Sequence, residues 1–117
     1  MDFFSQLFGQ SAIPQIEPVQ LQALVSKTPM PFLLDVRTPQ EYNEEHIQGA
    51  ELIPLSDLSN MLNRVPKDQE VICICQSGSR SSVAAQNLKS LGYKVSNLRG
   101  GMDIWVRAGL PIKTGMG

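Results

Sequence analysis

The chain has 117 residues, 42% of them apolar and 18% charged, with a formal net charge of −1. That is enough for one domain with a core of its own, because a chain of this size buries roughly two-thirds of its unfolded surface. The balance of charge gives no electrostatic hold on nucleic acid or an anionic membrane, and the basic residues are scattered.

The opening MDFFSQLFGQS sets Phe3, Phe4, Leu7 and Phe8 at helical spacing before Gly9. So short a helix is marginal alone, so the segment reads as an extension or a flap on the domain, with a membrane or partner contact as the other reading. No positive charge precedes its apolar residues, so it does not read as a secretory signal. No apolar run reaches the ~20 residues that cross a bilayer. Ser11 to Pro14 reads as linker.

Pro18 opens a helix carrying Val19, Leu21, Ala23, Leu24 and Val25, which Pro29 and Pro31 close. Phe32 to Val36 is a short apolar run between breakers, hence a buried strand. Thr38, Pro39 and Glu41 spell a helix start: a capping hydroxyl, a proline at the first position and an acid near the positive end. Leu52-Ile53 is a brief strand stopped by Pro54, and Ser56 to Val65 is helical by its stripe of Leu58, Met61, Leu62 and Val65. Val71 to Cys75 is apolar on both faces, as a central parallel strand must be. Ser81 to Leu91 follows as a helix with Val83, Ala84, Leu88 and Leu91 inward and Gly92 as its stop. Val95 to Leu98 is a further strand, and Gly100-Gly101 turns the chain into a last short helix holding Trp105. Strands alternating with helices at these separations give an α/β fold with a mostly parallel sheet.

The two cysteines, Cys73 and Cys75, sit too close together to staple distant segments, which points to a reducing, cytoplasmic setting. A lone histidine, His46, leaves a structural zinc site short of ligands. Cys75 stands where the central strand gives way to a loop and then a helix, the place where open parallel sheets bind ligands. Gln76, Ser77, Gly78, Ser79 and Arg80 are small or polar, and such a loop curls its N–H groups inward into an anion nest. The helix from Ser81 adds orphan N–H donors, and Arg80 adds positive charge at the rim. Each favours thiolate over thiol, so Cys75 reads as a covalent nucleophile rather than a buried hydrophobe. Cys73, inside the strand, reads as core.

Three ordered segments then carry a resemblance to the rhodanese domain in its single-domain form. They are DVRTPQEYNEEHIQGAELIPL from Asp35, CQSGSRS from Cys75, and LRGGMDIWVRAGLPI from Leu98. One departure is Glu45, where the family usually has glycine before the histidine. The resemblance implies a three-layer fold, a central five-stranded sheet flanked by helices, over residues 16–112, with 1–15 as extension and linker and 113–117 as tail. It implies a thiosulfate:cyanide type of sulfurtransferase in which Cys75 takes sulfane sulfur as a persulfide and passes it to cyanide or a thiol. Neither metal nor organic cofactor is implied. Backbone N–H groups of Gln76 to Arg80 would hold the persulfide, Arg80 would steer an anionic donor, and the hydroxyls of Ser77, Ser79 and Ser81 are further candidate donors. Asp35 and Arg37 support the loop. Related phosphatases carry one more residue between cysteine and arginine, whereas four separate Cys75 from Arg80, which favours sulfur over phosphate. His46 and Trp105 read as structural.

The partners expected are a small anionic sulfur donor and a thiol or cyanide acceptor, for a monomer. The competing reading is a sulfur relay to a specific protein, or a regulatory binding module. A regulatory module would ordinarily lack the cysteine, and this loop keeps both Cys75 and Arg80.

Overall fold

The computed structural model describes residues 12–116. The expected amphipathic segment at Phe3 to Phe8 lies outside the described residues. Five strands form one sheet in the order β1-β5-β4-β2-β3, every pair parallel. They are β1 (Gln15–Ile16), β2 (Phe32–Asp35), β3 (Glu51–Leu52), β4 (Val71–Ile74) and β5 (Val95–Leu98). Helices α1 (Pro18–Val25), α2 (Pro39–Glu44), α3 (Ser79–Ser90) and α4 (Gly101–Arg107) connect or follow them.

Alternation along the buried strands sorts their side chains between two cores. Val71, Cys73 and Cys75 join Leu34, Val36, Ala84 and Leu88 under α3, while Ile72 and Ile74 join Leu33, Leu21, Met102 and Trp105 on the opposite face. The sheet therefore has helices on both sides, the three-layer arrangement that a fully buried β4 requires. At the carboxyl ends of the strands β4 pairs with β2, Ile74 opposite Asp35, so the Cys75 loop rises directly beside Arg37.

Both helix starts with a proline are capped as their sequences dictate. Thr38 Oγ1 accepts from Glu41 N at 3.2 Å and Glu41 Oε1 accepts from Thr38 N at 3.0 Å, a reciprocal box that closes the first turn of α2. Glu17 and Gln20 do the same for α1.

Ser56 to Val65 departs from the expected α-helix. Two 3₁₀ turns, Leu55–Asn60 and Leu62–Arg64, stand there, closed by bonds such as Met61 N to Leu58 O and Val65 N to Leu62 O, each 3.0 Å. The apolar stripe fits either winding, but Ser56, Asp57, Ser59, Asn60 and Asn63 are weak helix formers that leave the tighter one to prevail. Helix α3 begins at Ser79, two residues ahead of the expected Ser81, so Arg80 belongs to its first turn. Its buried stripe is Ser81, Ala84, Ala85 and Leu88; Val83 and Leu91, expected inward, are 50% and 48% exposed. Small residues at that stripe let α3 lie close on the sheet. Toward the ends of the described residues Ile13 is buried, Gln15 pairs with Asn97, and Lys113 bridges to His46.

Candidate active site

The site is built on two donors that converge on one sulfur. Cys75 follows directly on β4 and is fully buried. Its Sγ accepts from Gly78 N at 3.0 Å and from the Ser81 hydroxyl at 3.2 Å. Gly78 reaches this position by adopting φ +105°, left-handed backbone that a side chain would strain, and its carbonyl accepts from Ser82 N at the head of α3. The loop thus turns one N–H and one hydroxyl inward at the positive end of a twelve-residue helix.

Ser81 is held in turn from β5. Its single hydroxyl proton is shared among three acceptors, the Cys75 sulfur, Asn97 Oδ1 and Gly78 O, while Asn97 Nδ2 donates to Gln15 Oε1 at 3.0 Å. The loop's outward carbonyls are satisfied by the last helix: Met102 N donates to Cys75 O and Asp103 N to Gln76 O, both at 2.9 Å. This needs a glycine at 101, where an added Cβ would stand 2.3 Å from Cys75 O and 2.7 Å from Gln76 O.

The remaining loop side chains have their hydrogen-bond partners elsewhere. Gln76 is clamped, its Oε1 accepting from Arg37 Nη1 at 3.0 Å and its Nε2 donating to Asp103 Oδ1 at 2.7 Å. The hydroxyls of Ser77 and Ser79 face each other, exposed, at 3.4 Å. Arg80 forms a two-pronged pair with Glu41, Nη1 to Oε1 and Nη2 to Oε2 each at 2.9 Å. The Arg80 hydrogen bond, opposed by partial burial and helped by Thr38, holds the Glu41 carboxyl down at about 2, and Glu41 raises Arg80 in return.

Asp35 and Arg37 form the other pair, almost wholly buried. Arg37 Nε and Nη2 reach the Asp35 carboxylate at 2.9 and 2.8 Å, and Nη2 also donates to Glu45 O at 2.7 Å. Arg37 therefore ties the end of β2, the end of α2 and Gln76 into one support. Beside it a cleft of about 350 Å³ opens between Arg37, Thr38, Pro54, Leu55 and Arg80. Cys73 is packed in the core, where burial and the neighbouring Cys75 push its thiol up to about 12. His46 stacks on Tyr42 with ring centres 3.7 Å apart, and its Nδ1 bonds Tyr42 O at 2.8 Å. Trp105 is buried and donates to Pro111 O at 2.8 Å.

Of the residues singled out in the sequence, Gly78 and Ser81 contact the Cys75 sulfur, Asp35 and Arg37 brace the loop, and the side chains of Gln76, Ser77, Ser79 and Arg80 bond to other partners. Sequence reasoning missed Asn97 and Asp103 and saw Glu41 only as a helix-start acid. Asn97 lies within the Val95–Leu98 strand, which gives a polar residue buried there as the one available signal.

Cys75, a tight glycine turn and a helix start thus stand together at the carboxyl edge of an α/β sheet. The chain belongs to the rhodanese-like family: the model of the rhodanese-like domain matches residues 17–108. It is 37% identical over 101 residues to a sulfurtransferase of Allochromatium vinosum, covering 86% of this chain and 94% of that protein. It is 32% identical over 108 residues to the thiosulfate sulfurtransferase GlpE of Pseudomonas fluorescens, covering 92% and 96%. The crystal structure of a rhodanese-related protein from Thermoplasma volcanium superposes with a TM-score of 0.80 at 28% identity, covering 86% of this chain and 97% of that one.

Proposed function

We propose that the protein is a sulfurtransferase that carries sulfane sulfur as a persulfide on Cys75. The observation that supports this most is the pair of donors, Gly78 N–H and the Ser81 hydroxyl, aimed at Sγ. Donors fixed before the reaction stabilise negative sulfur without reorganising. In the first half-reaction the Cys75 thiolate attacks the outer sulfur of a donor such as thiosulfate; the Sγ–S bond forms, the donor's S–S bond breaks and sulfite leaves. In the second, cyanide or a thiol takes the outer sulfur, the Sγ–S bond breaks and the thiolate returns. The sulfur carrier is the cysteine itself, so the reaction calls on no metal or organic cofactor.

The likeness to a sulfurtransferase and to a thiosulfate sulfurtransferase favours this chemistry over dephosphorylation. So does the loop, with four residues between Cys75 and Arg80. A reducing, cytoplasmic setting suits a catalyst that must hold free thiolate, and a monomer suffices because one chain supplies the whole cradle. No described helix is long and apolar enough to cross a membrane. The acceptor in the cell is a small thiol or a sulfur-accepting protein. Steady-state formation of thiocyanate from thiosulfate and cyanide tests the reading: the wild type turns over with ping-pong kinetics and Cys75→Ser is inert. Turnover that survives Cys75→Ser would overturn it.

A further inference from the structure

The cleft beside the Cys75 loop has two guanidinium groups on its wall, and each is already matched by a carboxylate. Arg37 is spent on Asp35, and Arg80 on both oxygens of Glu41. Gln76, the residue after the nucleophile, brings a further carboxylate close through its bond to Asp103. The rim therefore offers an incoming dianion no uncompensated positive charge from these arginines. What meets the sulfur itself is neutral: one backbone N–H and one hydroxyl.

Charge accounting separates donor classes at such a site. A thiolate meeting thiosulfate gathers three negative charges, which persist in the persulfide anion and the departing sulfite. A thiolate meeting an alkyl persulfide, R–S–SH, gathers one. The Sγ–S bond forms, the donor's S–S bond breaks, the proton stays on the transferred sulfur and the thiolate RS⁻ leaves.

We infer that Glu41 is a specificity-determining residue: by occupying Arg80 it withdraws the more exposed of the two described cleft arginines from an incoming sulfonate and sets the site for low-charge alkyl persulfides over thiosulfate. The inference rests on the sulfurtransferase reading above and refines its donor. Glu41 is suited to the role because its position is fixed independently of Arg80. Thr38 N and Oγ1 bond Oε1 at 3.0 and 3.2 Å, so the carboxylate is anchored to the start of α2 and the arginine comes to it.

The test is single-turnover persulfidation of full-length wild type, Glu41→Gln and the double variant Glu41→Gln/Arg80→Gln, read by intact mass with thiosulfate and with cysteine persulfide. Glutamine keeps the capping box of α2, so the first substitution removes the charge and leaves the fold. Expected is a rise of about tenfold in the thiosulfate-to-cysteine-persulfide rate ratio in Glu41→Gln, through tighter thiosulfate binding, that fades with added salt as a charge effect must. The ratio should return toward wild type in the double variant. A ratio unchanged in Glu41→Gln, or a rise that survives loss of Arg80, would overturn the inference alone. No adduct from either donor in any of the three proteins would overturn the sulfurtransferase reading beneath it.

Discussion

Two arginine–carboxylate pairs flank the Cys75 loop, and they differ in depth. Asp35–Arg37 is sealed, with side-chain exposures of 0% and 1%, whereas Glu41–Arg80 sits at the rim with 28% and 36%. The buried pair spends its hydrogen bonds on Asp35, Glu45 O and Gln76, so it organises the base of the loop. The rim pair joins α2 to the first turn of α3 and borders the cleft. The same two side-chain chemistries therefore do different work: one is a brace whose loss damages the fold, the other a charge balance whose loss alters what the site accepts.

The largest effect should come from splitting the buried pair. Asp35→Ala leaves a buried guanidinium without its counter-ion, and denaturant unfolding should show a loss of about 3–5 kcal/mol. Replacing both partners by apolar residues should recover much of that loss while leaving the loop poorly held, so stability returns and sulfur transfer does not. Gly101→Ala comes next. Its Cβ would stand 2.3 Å from Cys75 O, so the loop or α4 must shift at a cost of about 2 kcal/mol, checked by thermal unfolding alongside the rate of persulfide formation.

The rim pair should matter far less to stability. Glu41→Ala removes a helix cap and a partly exposed ion pair, together about 1 kcal/mol. Glu41→Gln should cost less because it keeps the cap. The smallest effect is on pH. Glu41 titrates at about 2 in the fold against 4.5 ordinarily, so its contribution is complete above about 4.5 and lost as pH falls through about 2. Acid unfolding of wild type should therefore show a limb across that window that Glu41→Gln lacks, worth under about 1 kcal/mol given the exposure of the pair.

The contrast between the pairs also explains what could be read from the chain. The central strand cores were legible because Phe32 to Val36 and Val71 to Cys75 are largely apolar runs whose burial leaves few alternatives. Asp35 and Arg37 are two residues apart, and their support of the loop was within reach of local reasoning. Glu41 and Arg80 are 39 positions apart. Each has an adequate local explanation, a helix-start acid and a loop cation, so nothing in either neighbourhood announces the other. Asn97 and Ser81 pose the same difficulty across 16 positions. The 3₁₀ turns after Pro54 were hidden for another reason: a stripe of Leu58, Met61, Leu62 and Val65 does not distinguish one tight winding from another.

The central claim is that Cys75, not its neighbour in the strand, carries the sulfur. The direct measurement is peptide mapping by mass spectrometry of the protein after brief exposure to a sulfane-sulfur donor, with persulfides trapped by alkylation. The account predicts one added sulfur on Cys75, none on Cys73, whose thiol burial holds near 12, and removal of that sulfur by cyanide. Sulfur found on Cys73, or no persulfide at Cys75 with either thiosulfate or an alkyl persulfide, would contradict it.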